Sequence, residues 1–297
     1  MRGREKEILC TLTLPLLAQW VPPSPTSWAR AFRLSSRVIP DRFARLLSKL
    51  PTPIWHALTF AAFIGVWWLL AVYAGHGFLP SPAETVRAAV KMSGDGTLAS
   101  ATLESFYSLM GGFLLAVVVG IGAGLAMGAF PVLGAVMGPY VDALSAMPRI
   151  AFLPLIIVFL GLGYEARIFM VFLGAVMPIL LNTYAGVLHS DADLIEMARA
   201  VGAKNTVIFR TIVLPGALPH IMTGLRVGAS LALINTVVAE LYTAISGLGG
   251  LLSIYGNSFR MAPYFVVVII LALMGVMLVY GVRLVERRVM RWRLNRG

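Results

Sequence analysis

The chain has 297 residues, of which 59% are hydrophobic and 12% charged, and its mean hydropathy is +0.85. A water-soluble domain carries roughly 25% charged and about 45–50% apolar residues, so the composition excludes an ordinary soluble enzyme, a disordered chain and a small disulfide scaffold. The net charge of +11 gathers at the two ends of an apolar chain; orientation in a membrane explains that better than a nucleic-acid-binding patch does.

Residues 1–54 read as a basic, poorly ordered cytoplasmic extension. Ile8 to Val21 is apolar but too short to span, and "PPSP" breaks it. Arg37, Arg42, Arg45 and Lys49 precede the first span, within reach of anionic head groups. A crossing helix needs ~20 apolar residues. Four stretches qualify without an acidic or basic residue: Trp55 to Tyr73, Ser105 to Phe130, Ile168 to Leu188 and Tyr264 to Val282. Two more contain charge: Val136 to Leu160, with Asp142 and Arg149, and Leu218 to Ala244, with Arg226 and Glu240. The expectation is an all-α membrane protein: a six-span domain over 55–285, an inner loop at 189–217 and a basic tail over 286–297. With the N-terminus inside, 18 Lys and Arg lie in inner segments and four (Arg87, Lys91, Arg167, Arg260) in outer ones, which places both termini in the cytoplasm.

Between the first two spans, "LPSPAETVRAAV" predicts a short outer helix started by Ser81, Pro82 and Glu84. In the second span Gly120, Gly124 and Gly128 recur every four residues, spacing that lets helix backbones approach closely in lipid. Pro148, Pro154 and Pro178 predict kinks in spans three and four. Charge at membrane depth is costly, so Asp142 and Arg149, and Arg226 and Glu240, are expected at the ends of spans or facing a pathway.

No segment fits GxxxxGK[ST], the nearest being "VGAKNT", so no phosphate-cradling loop is expected. No nucleophile–base cluster stands out, so there are no candidate catalytic residues. Cys10 is the single cysteine, and His56, His76, His189 and His220 lack ligand spacing, so neither a disulfide nor a metal or cofactor site is expected.

The inner loop, "HSDADLIEMARAVGAKNTVIFRTIVLPGALPHI", reads as two helices. Ser190 with Asp193 forms a capping signal, and Leu194, Ile195, Ala198 and Val201 form an apolar stripe. Gly202 suits a left-handed C-cap. Asn205 can cap a second helix that runs to Pro215. Such a knob fits either a groove on another protein or a plain loop on the membrane surface.

"EMARAVGAKNTVIFRTIVLP" resembles the EAA loop of ABC importer permeases, EAA-x3-G-x9-I-x-LP. Glu196, Ala198, Gly202, Ile212, Leu214 and Pro215 match in register, and Met197 stands where the family usually has Ala. Segments such as "LPSPAETV", "MPRIAFLPLIIVFLGLG", "LPGALPHIMTGLRVG" and "VVAELYTAISGLGGLL" are similar to the nitrate/sulfonate/taurine branch, over Leu79 to Trp292. The resemblance implies a type I importer fold, a pair of permease chains in a bacterial inner membrane, two ATPase subunits docked on the loops, and an extracytoplasmic solute-binding protein. ATP is then used by the partner. Glu196, Met197, Ala198, Ala200 and Gly202 would form the coupling loop, and Arg149, Asn182 and Glu240 would line the pathway. The competing reading is an autonomous channel or secondary transporter, which has no reason to keep the EAA register.

Overall fold

The computed structural model describes residues 52–74, 78–243 and 246–290. The N-terminal expectations, including Cys10 and Arg37 to Lys49, fall outside the described residues, as do His76 and the tail beyond 290. All regular structure among the described residues is helical. The chain divides into two compact units within the first helix, α1 (Thr52–Ala74), between Val66 and Trp67. Of the first unit, residues 52–66 are described, and Ile54, Leu58, Phe60 and Phe63 are exposed there. An apolar surface of this kind suits lipid, where exposed hydrocarbon carries no penalty.

The second unit opens with the end of α1, where the Trp67 indole N–H donates to Pro80 O at 3.1 Å. Helix α2 (Pro82–Gly94) starts as its sequence predicts. The Glu84 N–H donates to the Ser81 hydroxyl at 3.3 Å and the Ser81 N–H to the Glu84 carboxylate at 2.8 Å, with Pro82 at the first position.

Three long helices form the core: α3 (Thr97–Ala129), α6 (Tyr164–Leu188) and α9 (Leu214–Thr243). Helix α6 packs along both others, and small residues set the approach. A Cβ on Gly120 would lie 2.9 Å from Ile179 Cγ2, one on Gly124 2.7 Å from Leu180 O, and one on Gly128 2.5 Å from Val187 Cβ. The four-residue glycine stripe therefore faces α6, as its spacing implies. On the other side, a Cβ on Gly228 of α9 would meet Ile179 Cγ1 at 2.8 Å.

Between α3 and α6 the chain makes α4 (Pro131–Ala146), a 3₁₀ turn (Arg149–Phe152) and α5 (Leu153–Leu160). The segment expected as one kinked third span is instead a pair of helices bent by 87°. Met147 and Pro148 are extended, and Pro148 lacks the N–H that would continue the ladder. Asp142 and Arg149 thus do not share one helix face. Among the described residues five helices are long and apolar enough to cross a membrane, and counting the bent pair as one makes six.

After α6 come α7 (Ala192–Ala200), α8 (Asn205–Ile208), a π-helical turn (Phe209–Val213) and α9. Pro215 does not stop the helix, contrary to the sequence expectation. The Leu214 N–H bonds Phe209 O, five residues back, so the ladder has shifted register just before the proline. The helical path from Asn205 to Thr243 covers 39 residues, about 58 Å at 1.5 Å per residue. Helix α10 (Gly247–Asn257) and α11 (Met261–Val289) close the described structure, and α11 continues past the expected span end at Val282.

Candidate functional site

Of the residues expected in the coupling loop, Glu196, Met197, Ala198 and Ala200 sit on α7, which is nine residues long and buries no residue, and Gly202 follows its end. Asp191 caps it, not Ser190: Asp191 Oδ1 accepts from the N–H groups of Asp193 at 3.1 Å and Leu194 at 3.3 Å. Asp is as good a cap as Ser, and the chain enters the helix one residue later than the motif suggests. Asp193 in the first turn and Arg199 in the last suit the helix dipole.

The C-terminal end forms as predicted. Gly202 has φ +79°, the Gly202 N–H bonds Arg199 O at 2.9 Å, and the Ala203 N–H bonds Ala198 O at 3.0 Å. These two bonds define a Schellman motif, which requires a left-handed residue at Gly202. Asn205 is the first residue of α8 and not its cap; Lys204 holds that position, with no side-chain bond.

Ile195 and Ala198 of the expected stripe are half-buried. Leu194, Met197 and Val201 are exposed, Met197 by 63% and Val201 by 81%. Spacings of three and four place these three on one helix face. Glu196 and Ala200 are exposed beside them. A nine-residue helix is marginal alone, and an exposed apolar face on a short helix is a geometry that helix-in-groove recognition uses.

Two further predicted residues lie elsewhere. Arg149 is half-buried at the break after α4, and its Nη1 donates to Gly174 O at 3.2 Å. Pro178 lies four residues after Gly174 and has no N–H to offer that carbonyl. Arg149 therefore satisfies an acceptor that the proline orphans. Asn182 is half-buried on α6, its Nδ2 donating to Pro178 O at 2.7 Å. The structure does not bring Asn182, Arg149 and Glu240 into one set of hydrogen-bonded neighbours.

Glu240 is expected on the pathway, but it is 0% exposed and faces the interior of the fold. Its Oε2 accepts from the Ser105 hydroxyl and from the Gly249 N–H, each at 2.8 Å. Ser105 Oγ accepts in turn from the Leu248 N–H at 2.8 Å. These are early N–H groups of α10, which lack partners within the helix, so Glu240 and Ser105 cap α10 from outside it. The fit is close: a Cβ on Gly249 would lie 2.5 Å from Glu240 Cβ. Arg226 does not pair with Glu240 on its own helix. It pairs with Glu286 of α11 at 2.6 Å.

Sequence reasoning missed the companions of Glu240. Ser105 looked like the first residue of an apolar run, and Arg167 like an outer-loop cation. Arg167 is 3% exposed within α6, 4.4 Å over the Tyr164 ring, and its charge acts on Glu240, as does that of Glu104. No spacing rule links positions this far apart in the chain. Among the described residues no group of three His, Cys, Asp or Glu could hold a metal ion.

Residues 116–291 match the model of the binding-protein-dependent transport system inner membrane component family. The chain belongs to that family. It is an ABC importer permease. A Brucella melitensis protein described as an ABC transporter permease is 32% identical over 235 residues, 79% of this chain and 95% of the relative. The taurine transport system permease of Escherichia coli is 30% identical over 241 residues, 79% and 88% of the two chains. A riboflavin transport system permease of Chloroflexus aurantiacus is 33% identical over 214 residues, 72% and 80%. The permease also shares its fold with a chain of the MetNI methionine ABC transporter, with TM-score 0.51 at 22% identity over 63% of this chain and 93% of that one. An amino acid ABC transporter chain gives TM-score 0.52 at 19% identity, over 67% and 97%. These matches make the permease a multi-pass membrane protein and place ATP hydrolysis in a separate subunit.

Proposed function

We propose that this permease works as a homodimer of six-span chains with both termini in the cytoplasm. Two copies of an ATPase subunit dock on the α7 helices, and an extracytoplasmic solute-binding protein delivers a small anion of the sulfonate or taurine type. Closure of the ATPase dimer on ATP moves α7. The continuous helical path from Asn205 carries that movement into α9 and the core, and the permease itself needs no cofactor. Arg149 and Asn182 face the solute, and Glu240 keeps α10 fixed to α9 and α3 while the pathway opens. The exposed face of Leu194, Met197 and Val201 carries this reading, because it is an apolar patch on a short, capped helix that buries no residue.

Mild-detergent purification of the tagged permease from its native membrane, with mass spectrometry of co-purifying chains, tests it. An ATPase subunit accompanies wild type and is lost with Met197→Asp, which puts a charge on the docking face. Recovery of the ATPase in equal yield with the variant contradicts the docking surface.

A further inference from the structure

We propose that Arg149 and the cavity beside it form a subsite for an organic anion with a compact apolar body, and that the subsite prefers a plain sulfonate to an aminosulfonate. The inference rests on the reading of this chain as a permease for small anions and names the group that would recognise them.

Depth is the first observation. Gly174 lies six residues into the uncharged stretch of α6 that starts at Ile168, ~9 Å along the helix. Arg149 Nη1 is 3.2 Å from Gly174 O, so the guanidinium is held beside the apolar part of α6. A cation at membrane depth is costly and marks a functional position.

The second observation is the missing counter-charge. Among the described residues no carboxylate pairs with Arg149, and its bond to Gly174 O is to a neutral carbonyl. That bond uses one of five N–H donors. A hydroxyl would satisfy the carbonyl that Pro178 orphans, without bringing a permanent charge into an apolar span. The remaining fork of the guanidinium matches the paired oxygens of a sulfonate or carboxylate.

The third is space. An open groove of about 480 Å³ adjoins Arg149, walled by Phe152, Phe159, Phe169, Leu173 and Met177, with Phe159 77% exposed at its mouth. Ligand pockets run to about 300–1,000 Å³, so this one admits an anion with a short alkyl or aryl body. The 87° break between α4 and the turn that carries Arg149 forms one side. Discontinuous helices at mid-membrane are a general means of bringing charge to a solute. Arg149 is the one charged residue in the cavity lining. An ammonium on the ligand would be left unpaired there, which disfavours a zwitterion.

The test is calorimetric titration of the permease–ATPase complex in nanodiscs, without binding protein. The probes are methanesulfonate, hexanesulfonate, taurine and hexyltrimethylammonium. Wild type binds hexanesulfonate at least tenfold more tightly than taurine and does not bind the cation. Arg149→Gln weakens hexanesulfonate at least tenfold, and Arg149→Lys restores part of the loss. Leu173→Trp, which fills the cavity and keeps the charge, loses hexanesulfonate and retains methanesulfonate. Equal hexanesulfonate affinity in wild type and Arg149→Gln, with the ATPase still co-purifying, overturns the subsite, as does a wild type that binds none of the anions. Uptake by the complete transporter separates the two levels. Sulfonate uptake with no Arg149-dependent binding removes the subsite and leaves the anion importer. Uptake of no anion removes the reading on which the subsite rests.

Discussion

Replacing Glu240 by Ala removes the acceptor of two buried donors, the Gly249 N–H and the Ser105 hydroxyl, each 2.8 Å from Oε2. Each buried donor left unsatisfied costs about 1–3 kcal/mol. The substitution should therefore destabilise the permease by about 2–6 kcal/mol. At roughly 2–4 °C per kcal/mol for a chain of this size, the melting temperature in detergent falls by at least about 4 °C. Glu240→Gln keeps one carbonyl oxygen able to accept both bonds, and its loss should be less than half that of Ala. Ser105→Ala removes the link to the Leu248 N–H, so Glu240→Ala and Ser105→Ala together should lose less than the sum of the two. The assay is thermal unfolding of the purified permease, followed by static light scattering and by protection of α10 from proteolysis. A drop below about 4 °C for Glu240→Ala, with α10 as protected as in wild type, refutes the assignment of Glu240 as an external cap.

Further expectations follow from the same contacts. Gly202→Val places a β-branched residue at φ +79° where a new Cβ meets nothing within 4 Å, so its cost of about 1–2 kcal/mol is conformational; ATPase co-purification should fall roughly tenfold. Unchanged recovery in titrated pull-downs counts against the Schellman turn as a docking determinant. Asp191→Ala removes the α7 cap and should weaken the same interaction by about 1 kcal/mol, with Asp191→Ser restoring most of it. Gly124→Leu must push a side chain against Leu180 O, 2.7 Å from its Cβ, and should cost about 1–3 kcal/mol in thermal unfolding, whereas Gly122→Leu, with open space around it, should cost far less. Arg226→Lys should change stability by about 1 kcal/mol or less, since its pair with Glu286 is partly exposed; a large loss would assign that pair a structural role.

Local requirements were legible in the sequence. Gly202 could be placed because a left-handed helix end favours glycine, and Ser81 with Glu84 because a capping box is complete within four residues. The stripe of Gly120, Gly124 and Gly128 was readable because its helical period fixes a face. Features needing two distant segments were not. Ser105 and Glu240 are separated by 135 positions, and nothing local marks either as a partner of α10. Pro148 announced a kink, but the 87° angle depends on what α4 and α5 pack against. Pro215 looked like a stop because the rule assumes a regular ladder, and the π-helical turn removes the clash on which the rule rests. Arg149 was readable as a charge at depth. Its bond to the carbonyl left free by Pro178 needs α6 laid beside the broken helix.

The central claim is that this chain moves solute only when a separate ATPase drives it through α7. The most direct measurement is sulfonate uptake into proteoliposomes holding the permease, its co-purified ATPase and the solute-binding protein, with and without ATP, for wild type and Met197→Asp. The account predicts uptake with wild type and ATP alone, and none without ATP or with the variant. Equal uptake by the permease without ATP or ATPase would contradict it and make the chain an autonomous channel or secondary transporter.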